Sequence, residues 1–220
     1  DREFLLEVED IQGTQDGSSM VTLPSGEKSP RGLEDFIFFP ETSLDLDLGE
    51  RARIPVAINV PDNASPGGYF GAVLVSTVRQ GSGEGSFIPR SPIIARVASL
   101  IFLTVEGEVE RSGELLSFDM INNDSNWGLW YEKGPIEMAL LYENTGTVHL
   151  NPYGEVSIKN MLGEEVGYLE IDPWFVLPSA VRLREFSWDR EFLFGRYTAE
   201  ASINRGYDDE IDVLKTTFWV

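Results

Sequence analysis

The stretch Pro66-Gly-Gly-Tyr-Phe-Gly-Ala-Val-Leu-Val-Ser-Thr-Val78 indicates how this chain folds. It opens with turn residues, passes through one tyrosine and continues as an apolar run, which is typical of a late strand in a β-sandwich. A second version follows at Phe194-Gly-Arg-Tyr-Thr-Ala-Glu-Ala-Ser-Ile203. A predicted strand with an arginine precedes each tyrosine. Arg53 lies before Tyr69 at nearly the same distance as Arg182 lies before Tyr197. The repeat predicts two β-sandwich domains in tandem.

The remaining sequence supports an all-β fold class. Short alternating or apolar runs, such as Ile136-Glu-Met-Ala-Leu-Leu-Tyr142, are separated by turn residues such as Asn144-Thr-Gly146. This spacing is typical of antiparallel sandwiches, and in the first half no apolar helical period persists. We place the domain boundary near Gly107–Gly113. The prediction is two immunoglobulin-like (Ig-like) sandwiches, over residues 1–107 and 108–220.

The two tyrosines also allow the halves to be compared strand by strand. On this alignment Phe4–Val8 lies opposite Val156–Ile158, which is the third predicted strand of the second domain. The first domain therefore lacks its first two strands, and such a sandwich would expose core residues and unpaired edges. Either the sequence is a fragment of a longer chain, which we favour, or a partner supplies strands by β-addition.

The composition excludes several classes of function. The chain has 220 residues and a formal net charge of −20, so it has no basic surface for nucleic acid. The same acidity disfavours docking on anionic lipid and favours solubility. Cysteine is absent, which rules out disulfides and thiolate metal sites. No signal peptide and no apolar run of membrane-spanning length occurs in the sequence.

Tyr69 and Tyr197 are predicted to have a structural role. A tyrosine just after a glycine turn, at the head of a late sandwich strand, can bury its ring and bond its hydroxyl to the backbone. We therefore interpret both as tyrosine corners rather than as catalytic groups.

A larger set of turns and strands carries a resemblance to a known family. It comprises Val60-Pro61, Pro66-Gly-Gly-Tyr-Phe-Gly71, Arg96 to Gly107, Glu143-Asn-Thr-Gly146, Pro152-Tyr-Gly154, Leu177-Pro-Ser179 with Arg182, Gly195-Arg-Tyr197 and Phe218-Trp219. Together these resemble the tandem Ig-like ectodomains of bacterial cell-surface proteins similar to WxL-interacting proteins. The resemblance implies a peptidoglycan-binding-like domain, a host- or partner-binding-like domain, and an extracellular location with membrane anchoring by a segment outside this sequence. No ligand-binding residue of the family is matched in the loops.

The sequence contains no pattern for catalysis or for a cofactor. His149 is the only histidine, no Gly-x-Ser-x-Gly elbow surrounds a serine, and no nucleotide-binding motif occurs. Asp208, Asp209 and Asp212 could offer oxygen atoms to calcium, but they match no calcium loop, and we interpret them as solvated hairpin acids. The prediction is a non-catalytic protein without cofactor or metal.

One loop combines large aromatic side chains with amides. Trp127, Trp130 and Tyr131 lie close to Asn126 in the sequence. Exposed aromatic residues among amides suit a sugar face or a protein partner. The alternative is that these rings pack back onto the domain interface, and the sequence leaves both interpretations open.

The predicted function is therefore binding at the bacterial cell surface, with a cell-wall polymer, a glycan or a protein as partner. A periplasmic pilus-type assembly chaperone is an alternative, because the strand Ile93–Val105 could act as a template for a subunit's strand. Such chaperones need a basic anchor, for which Arg96 is the candidate. A carbohydrate-binding accessory module acting through Trp127 and Trp130 is the third possibility.

Overall fold

The computed structural model describes residues 2–17, 20–24, 26–78, 95–121, 131, 133–190 and 192–220. These residues form β-strands joined by turns and no helix, so the all-β fold class is confirmed, and no helix among them could cross a membrane. The strands are β1 Arg2–Gln12, β2 Val21–Thr22, β3 Ile37–Phe38, β4 Ser43–Leu46, β5 Ala57–Ile58, β6 Gly67–Thr77, β7 Arg96–Val105, β8 Gly113–Ile121, β9 Ile136–Asn144, β10 Tyr153–Lys159, β11 Glu165–Ile171, β12 Ala180–Trp188, β13 Arg196–Asn204 and β14 Ile211–Trp219.

The chain divides into two compact units. Unit 1 comprises Asp1–Gln12 and Val21–Gly107, and unit 2 comprises Gly13–Met20 and Glu108–Val220. Residues 13–20, which the predicted boundary places in the first domain, belong to unit 2. The reason is backbone hydrogen bonding, since carbonyl groups of this segment accept bonds of 2.9 Å from two amides of β12.

Unit 2 is a sandwich of two antiparallel sheets. One sheet has the order β11-β10-β13-β14 and the other the order β12-β9-β8. Alternate residues of β9 point into the core, because successive side chains of a strand face opposite sides of the sheet. Ile136, Met138, Leu140 and Tyr142 are fully buried there. Phe218 on β14, in the other sheet, belongs to the same buried core.

Unit 1 repeats only part of this arrangement. Its larger sheet has the order β2-β1-β6-β7, with β4 also paired to β1, and its second sheet contains β3 and β5 alone. Registers counted from the two corner tyrosines match β1 with β10, β6 with β13 and β7 with β14. No strand in the described part of unit 1 corresponds to β8 or β9. Among the described residues, the first sandwich therefore has no strand at the chain positions of β8 and β9, as the repeat predicts.

The thin second sheet leaves apolar residues of unit 1 in water. Leu33, Ile37 and Tyr69 form a small core on one face of the larger sheet. Ile54, Val56, Ile58 and Val60 recur at every second position, a pattern that predicts a half-buried strand. Strand β5 nevertheless has only two residues, and Val56 and Val60 are exposed. Alternation buries side chains only where a second layer covers them, and here the described layer is two strands wide.

Candidate functional site

Strand β7 is the last strand of the larger sheet that the described residues of unit 1 form. It pairs antiparallel with β6 through ten residue pairs, including Phe70 opposite Phe102, whose ring centroids are 5.7 Å apart. No strand in the described part of the chain pairs with its other edge. A free edge presents a row of unpaired backbone N–H and C=O groups, which can add a further strand.

The side chains of β7 make this edge unusual for a soluble protein. From Val97 to Val105 the strand has no charged residue. Val97, Leu100 and Phe102 are 71%, 41% and 36% exposed. Natural edge strands are commonly protected by charges, proline or bulges, because an unprotected apolar edge adds other strands. The edge of β7 is therefore chemically open to pairing.

The matching strand of unit 2 shows the usual protection. In the aligned registers Val97 corresponds to Asp212 on β14, and Leu100 corresponds to Lys215. Asp212 and Lys215 each form an ion pair at 2.6 Å. The same fold therefore carries charges on its last strand in unit 2 and apolar side chains at the same places in unit 1.

Arg96 begins β7, and its guanidinium group contacts carboxylates of β1. It lies 2.5 Å from Glu9 and 3.2 Å from Glu7. The hydrogen bond that it donates to Glu9 raises the pKa of Arg96, so the residue stays charged. The chaperone hypothesis needs Arg96 as an anchor for a partner's anionic group. In this structure its charge is already compensated by two carboxylates of unit 1.

The two corner tyrosines differ in how their hydroxyl groups are bonded. Tyr69 donates to the carbonyl oxygen of Ser65 at 3.1 Å. The hydroxyl of Tyr197 instead accepts a bond from the amide of Phe194 at 3.1 Å. Both rings are buried, which is the arrangement expected of structural tyrosines.

The arginine that lies above the ring of Tyr69 differs from the one that the sequence spacing indicates. Arg53 was paired with this tyrosine by spacing, but the guanidinium group above the ring is that of Arg31, 5.3 Å from the centroid. Arg31 also donates to the carbonyl oxygen of Pro66 at 3.0 Å. In unit 2, Arg182 stacks on Phe175 rather than on a tyrosine. Spacing along the chain could not reveal Arg31, because it comes from a loop far from the repeat.

Of the four residues named in the aromatic loop, the structure describes only Tyr131. Trp127, Trp130 and Asn126 lie outside the described residues. Tyr131, predicted as a contact for a ligand, is instead buried in the core of unit 2, where its hydroxyl donates to the carbonyl oxygen of Ile121 at 2.8 Å. Its ring meets Phe218 edge to face at 6.0 Å. Tyr131 therefore serves packing and not ligand contact.

Burial gives Tyr131 a testable property. Burial, with a smaller contribution from Glu137, raises the pKa of Tyr131 to about 12. Because this folded-state pKa lies above the unfolded value of about 10, the fold favours the neutral phenol. The resulting stabilisation is complete below about pH 10 and is lost as the pH rises through about 12. The measurement is an ultraviolet titration of phenolate absorbance in the wild type and in Tyr131→Phe. We expect the difference between the two curves to show one transition, near pH 12. A difference transition near pH 10 would contradict this burial.

The acidic residues proposed for calcium do not converge on a site. Asp212 accepts bonds from Arg205 and from the amide of Leu115 at 2.9 Å. Asp208 and Asp209 occupy a turn with φ near 52°. Among the described residues no group of three or more acids, histidines or cysteines could hold a metal ion. His149 is partly buried, and burial lowers its pKa.

Comparison with known proteins adds distant structural similarity only. No protein-family model and no curated protein sequence matches the chain. Similar solved structures include a chain from a chaperone–tip adhesin complex of CFA/I fimbriae biogenesis, with 12% identity, a TM-score of 0.41, and coverage of 99% of this chain and 85% of that chain. A class 5 fimbrial chaperone gives 12% identity, a TM-score of 0.40, and coverage of 100% and 86%. A Porphyromonas gingivalis W83 protein of unknown function gives 12% identity, a TM-score of 0.29, and coverage of 100% and 86%. Similarity of this degree assigns no function.

Proposed function

We propose that this chain is a non-catalytic binding protein of the bacterial cell envelope that takes up an extended segment of a protein partner along β7. The observation that carries the proposal is the outer edge of β7, with which no strand in the described part of the chain pairs and whose residues from Val97 to Val105 are uncharged. The envelope location rests on the resemblance of the turns and strands to bacterial surface ectodomains.

Strand addition would use two kinds of contact. Backbone groups of β7 that point away from β6 would form a ladder with the partner, at a net gain of about 1 kcal/mol for each hydrogen bond. The side chains of Leu100 and Phe102, which share one face of the sheet, would then meet alternate side chains of the added strand, and Val97 would meet one on the opposite face. The matching partner is therefore an uncharged segment with apolar residues at alternate positions.

An assembly chaperone is the second candidate and uses the same strand. It is favoured by the length of β7, since a ten-residue template could hold a subunit's strand until assembly. A stable surface receptor would hold its partner by the same contacts. The two candidates differ in whether the bound segment is released to another protein. Binding of a cell-wall polymer, which the family resemblance implies, and binding of a glycan through Trp127 and Trp130 remain separate predictions.

The test uses a displayed library of random peptides selected on the folded chain. We expect selected peptides to show alternating apolar residues and to protect β7 amides from hydrogen exchange. Leu100→Lys should weaken the best synthetic peptide at least about tenfold, because charged residues protect sheet edges. This substitution gives β7 the residue that β14 carries at the matching place, so the fold should tolerate it.

The control is Val213→Lys, which also introduces a lysine, at an exposed position of β14. It should leave peptide binding unchanged. Peptides that bind Leu100→Lys as well as the wild type, or that protect no amide of β7, would exclude strand addition at this edge. Binding to purified peptidoglycan that is unaffected by Leu100→Lys, with no selected peptide, would favour the cell-wall function instead.

A further inference from the structure

The core-facing side of the larger sheet in unit 1 is covered only in part. On β6, Tyr69, Val73 and Val75 alternate on this side, and Tyr69 belongs to the small core. Val75 lies opposite Leu6 of β1 and opposite Val97 of β7, so the three side chains share this face. Val75 and Val97 are nevertheless 37% and 71% exposed. Two apolar side chains on the core side of the sheet therefore reach water.

The matching face of unit 2 is closed. Counted from the corner tyrosines, Val75 corresponds to Ile203 on β13, and Val97 corresponds to Asp212 on β14. Ile203 is fully buried in a core that includes residues of β8 and β9. The Asp212 side chain is 16% exposed and accepts a bond of 2.9 Å from the amide of Leu115 on β8. Strands of the second sheet therefore close this face in unit 2, and the described part of unit 1 has no strand at their chain positions.

The open region continues across the sheet towards β4. Phe4 lies on the same face of β1 as Leu6, and it lies opposite Leu44 of β4. A cavity of about 510 Å³ adjoins Phe4 and Leu46. The apolar side chains on this face of four adjacent strands are here called the apolar strip, which comprises Phe4, Leu6, Leu44, Val75 and Val97.

The chain itself covers the centre of the same face. A Cβ atom built on Gly71 would be 2.8 Å from the Cβ atom of Leu33, so the loop before β3 lies against the middle of β6. Phe36 of this loop contacts the ring of Tyr69 at a centroid distance of 5.1 Å. Since the centre is filled, the open part of the face is the apolar strip, which suits one added segment better than a complete pair of strands.

The occupant that matches the strip is a protein segment with apolar side chains. In a β-sandwich, the inner face of one sheet is covered by interdigitating side chains from the other sheet. Strand β8 supplies such side chains in unit 2, where Leu115, Phe118 and Met120 are buried. An extended segment with large apolar residues at alternate positions would cover the strip in the same way.

The charges around the strip agree with an apolar occupant. The ion pairs of Arg96 with Glu7 and Glu9 lie on the opposite face of the sheet, because these residues alternate with those of the strip. At the β4 end, Arg2 and Glu50 line the cavity beside Phe4, so charges of both signs are present there. The segment would therefore be apolar over β1, β6 and β7 and polar where it reaches β4.

We propose that the apolar strip of unit 1 binds an extended segment of another protein, whose apolar side chains complete the core of the first sandwich. The segment does for Val75 and Val97 what residues of β8 and β9 do for the matching positions of unit 2. This proposal concerns the face of the sheet and not the edge of β7, so it does not depend on strand addition there. Val75 separates the two, because it lies on β6, between β1 and β7.

The experiment selects a displayed library of random peptides on the full chain and measures each selected peptide on two variants. We expect a class of peptides whose affinity falls at least about tenfold with Val75→Lys, since lysine removes apolar burial and places a charge against the segment. The same peptides should bind Leu100→Lys as they bind the wild type, because Leu100 lies on the opposite face of the sheet. Circular dichroism verifies that each variant folds.

A disulfide cross-link locates the bound peptide, because the chain has no cysteine of its own. A selected peptide that carries one cysteine should cross-link to Val75→Cys. The matched control is Leu100→Cys, at a position of similar exposure, 41% against 37%, on the other face. It should not react with this peptide. If Val75→Lys does not fold, the cross-link to Val75→Cys decides the question.

The two variants separate failure of this proposal from failure of strand addition at β7. If every selected peptide tolerates Val75→Lys, the proposal is overturned, and sensitivity of those peptides to Leu100→Lys would still support strand addition. A cross-link to Leu100→Cys in place of Val75→Cys overturns it as well. Self-association of the wild type that Val75→Lys abolishes, with no selected peptide, would overturn it and assign the strip to contact between copies of the chain.

Discussion

Asn144→Ala is expected to lower the free energy of unfolding by roughly 3–5 kcal/mol, because it removes three hydrogen bonds from the interior of unit 2. The fully buried Asn144 side chain donates to the carbonyl oxygens of Val148 and Val176 at 2.9 and 2.8 Å. Its own carbonyl accepts a bond from the amide of Gly146 at 2.9 Å. Without the side chain, three buried backbone groups would have lost these partners.

Urea unfolding of the full chain measures this effect. The matched control is Asn160→Ala, because Asn160 also makes three side-chain hydrogen bonds but makes them in a turn open to water. Water can replace those bonds, so the control should cost under about 1 kcal/mol. Asn144→Asp should be at least as damaging as Asn144→Ala, since a carboxylate oxygen would face two carbonyl oxygens. Equal costs for Asn144→Ala and Asn160→Ala would show that the buried bonds add nothing.

The fold class could be predicted because it depends on patterns local in the sequence. The tyrosine stretches became β6 and β13, and the run from Ile93 supplied β7. The turn at Asn144 was also visible in the sequence. Its three hydrogen bonds were not, because they join segments whose proximity arises only when the sandwich closes.

The predictions that failed depended on which layers cover each strand. Tyr131 lies in a loop rich in amides, which suggests exposure, yet the fold places its ring against Phe218. The alternation around Val56 suggests burial, yet the second sheet of unit 1 is too narrow to provide it. In both cases the sequence specifies an apolar side chain, and the tertiary arrangement decides whether water reaches it.

The candidate site at β7 also combines a feature that the local sequence predicts with features that only the tertiary structure shows. Sequence alone identified the run Ile93–Val105 as a possible template. The contrast with β14, which carries Lys215 at the position matching Leu100, can be seen only from the registers of both sheets. The contacts of Arg31 with the Tyr69 ring and the Pro66 carbonyl could not be predicted, because they join segments that are distant in the sequence.

Asp10 is a buried polar residue of unit 1, as Asn144 is of unit 2, and its replacement is also expected to destabilise the fold. This buried carboxylate accepts bonds from the amides of Ser29 and Glu34 at 2.9 and 2.8 Å. A Cβ atom built on Gly32 would overlap the carboxylate oxygens, so the loop wraps closely around the charge. The same loop carries Leu33 into the small core. Asp10→Ala should therefore release the loop and cost roughly 3–4 kcal/mol, since hydrogen bonds to charged groups are the stronger ones.

Hydrogen exchange measures this loop directly, because the amides of Ser29 and Glu34 should lose protection in Asp10→Ala while those of unit 2 keep it. Asp10→Asn should lie between wild type and Asp10→Ala, since one of its two polar atoms can still accept a bond. Gly32→Ala should resemble Asp10→Ala, because the added methyl group displaces the carboxylate. The control, Glu7→Ala, breaks an exposed ion pair with Arg96 and should cost under about 1 kcal/mol. If protection at Ser29 and Glu34 survives in Asp10→Ala, the loop is held by the burial of Leu33 and not by the carboxylate.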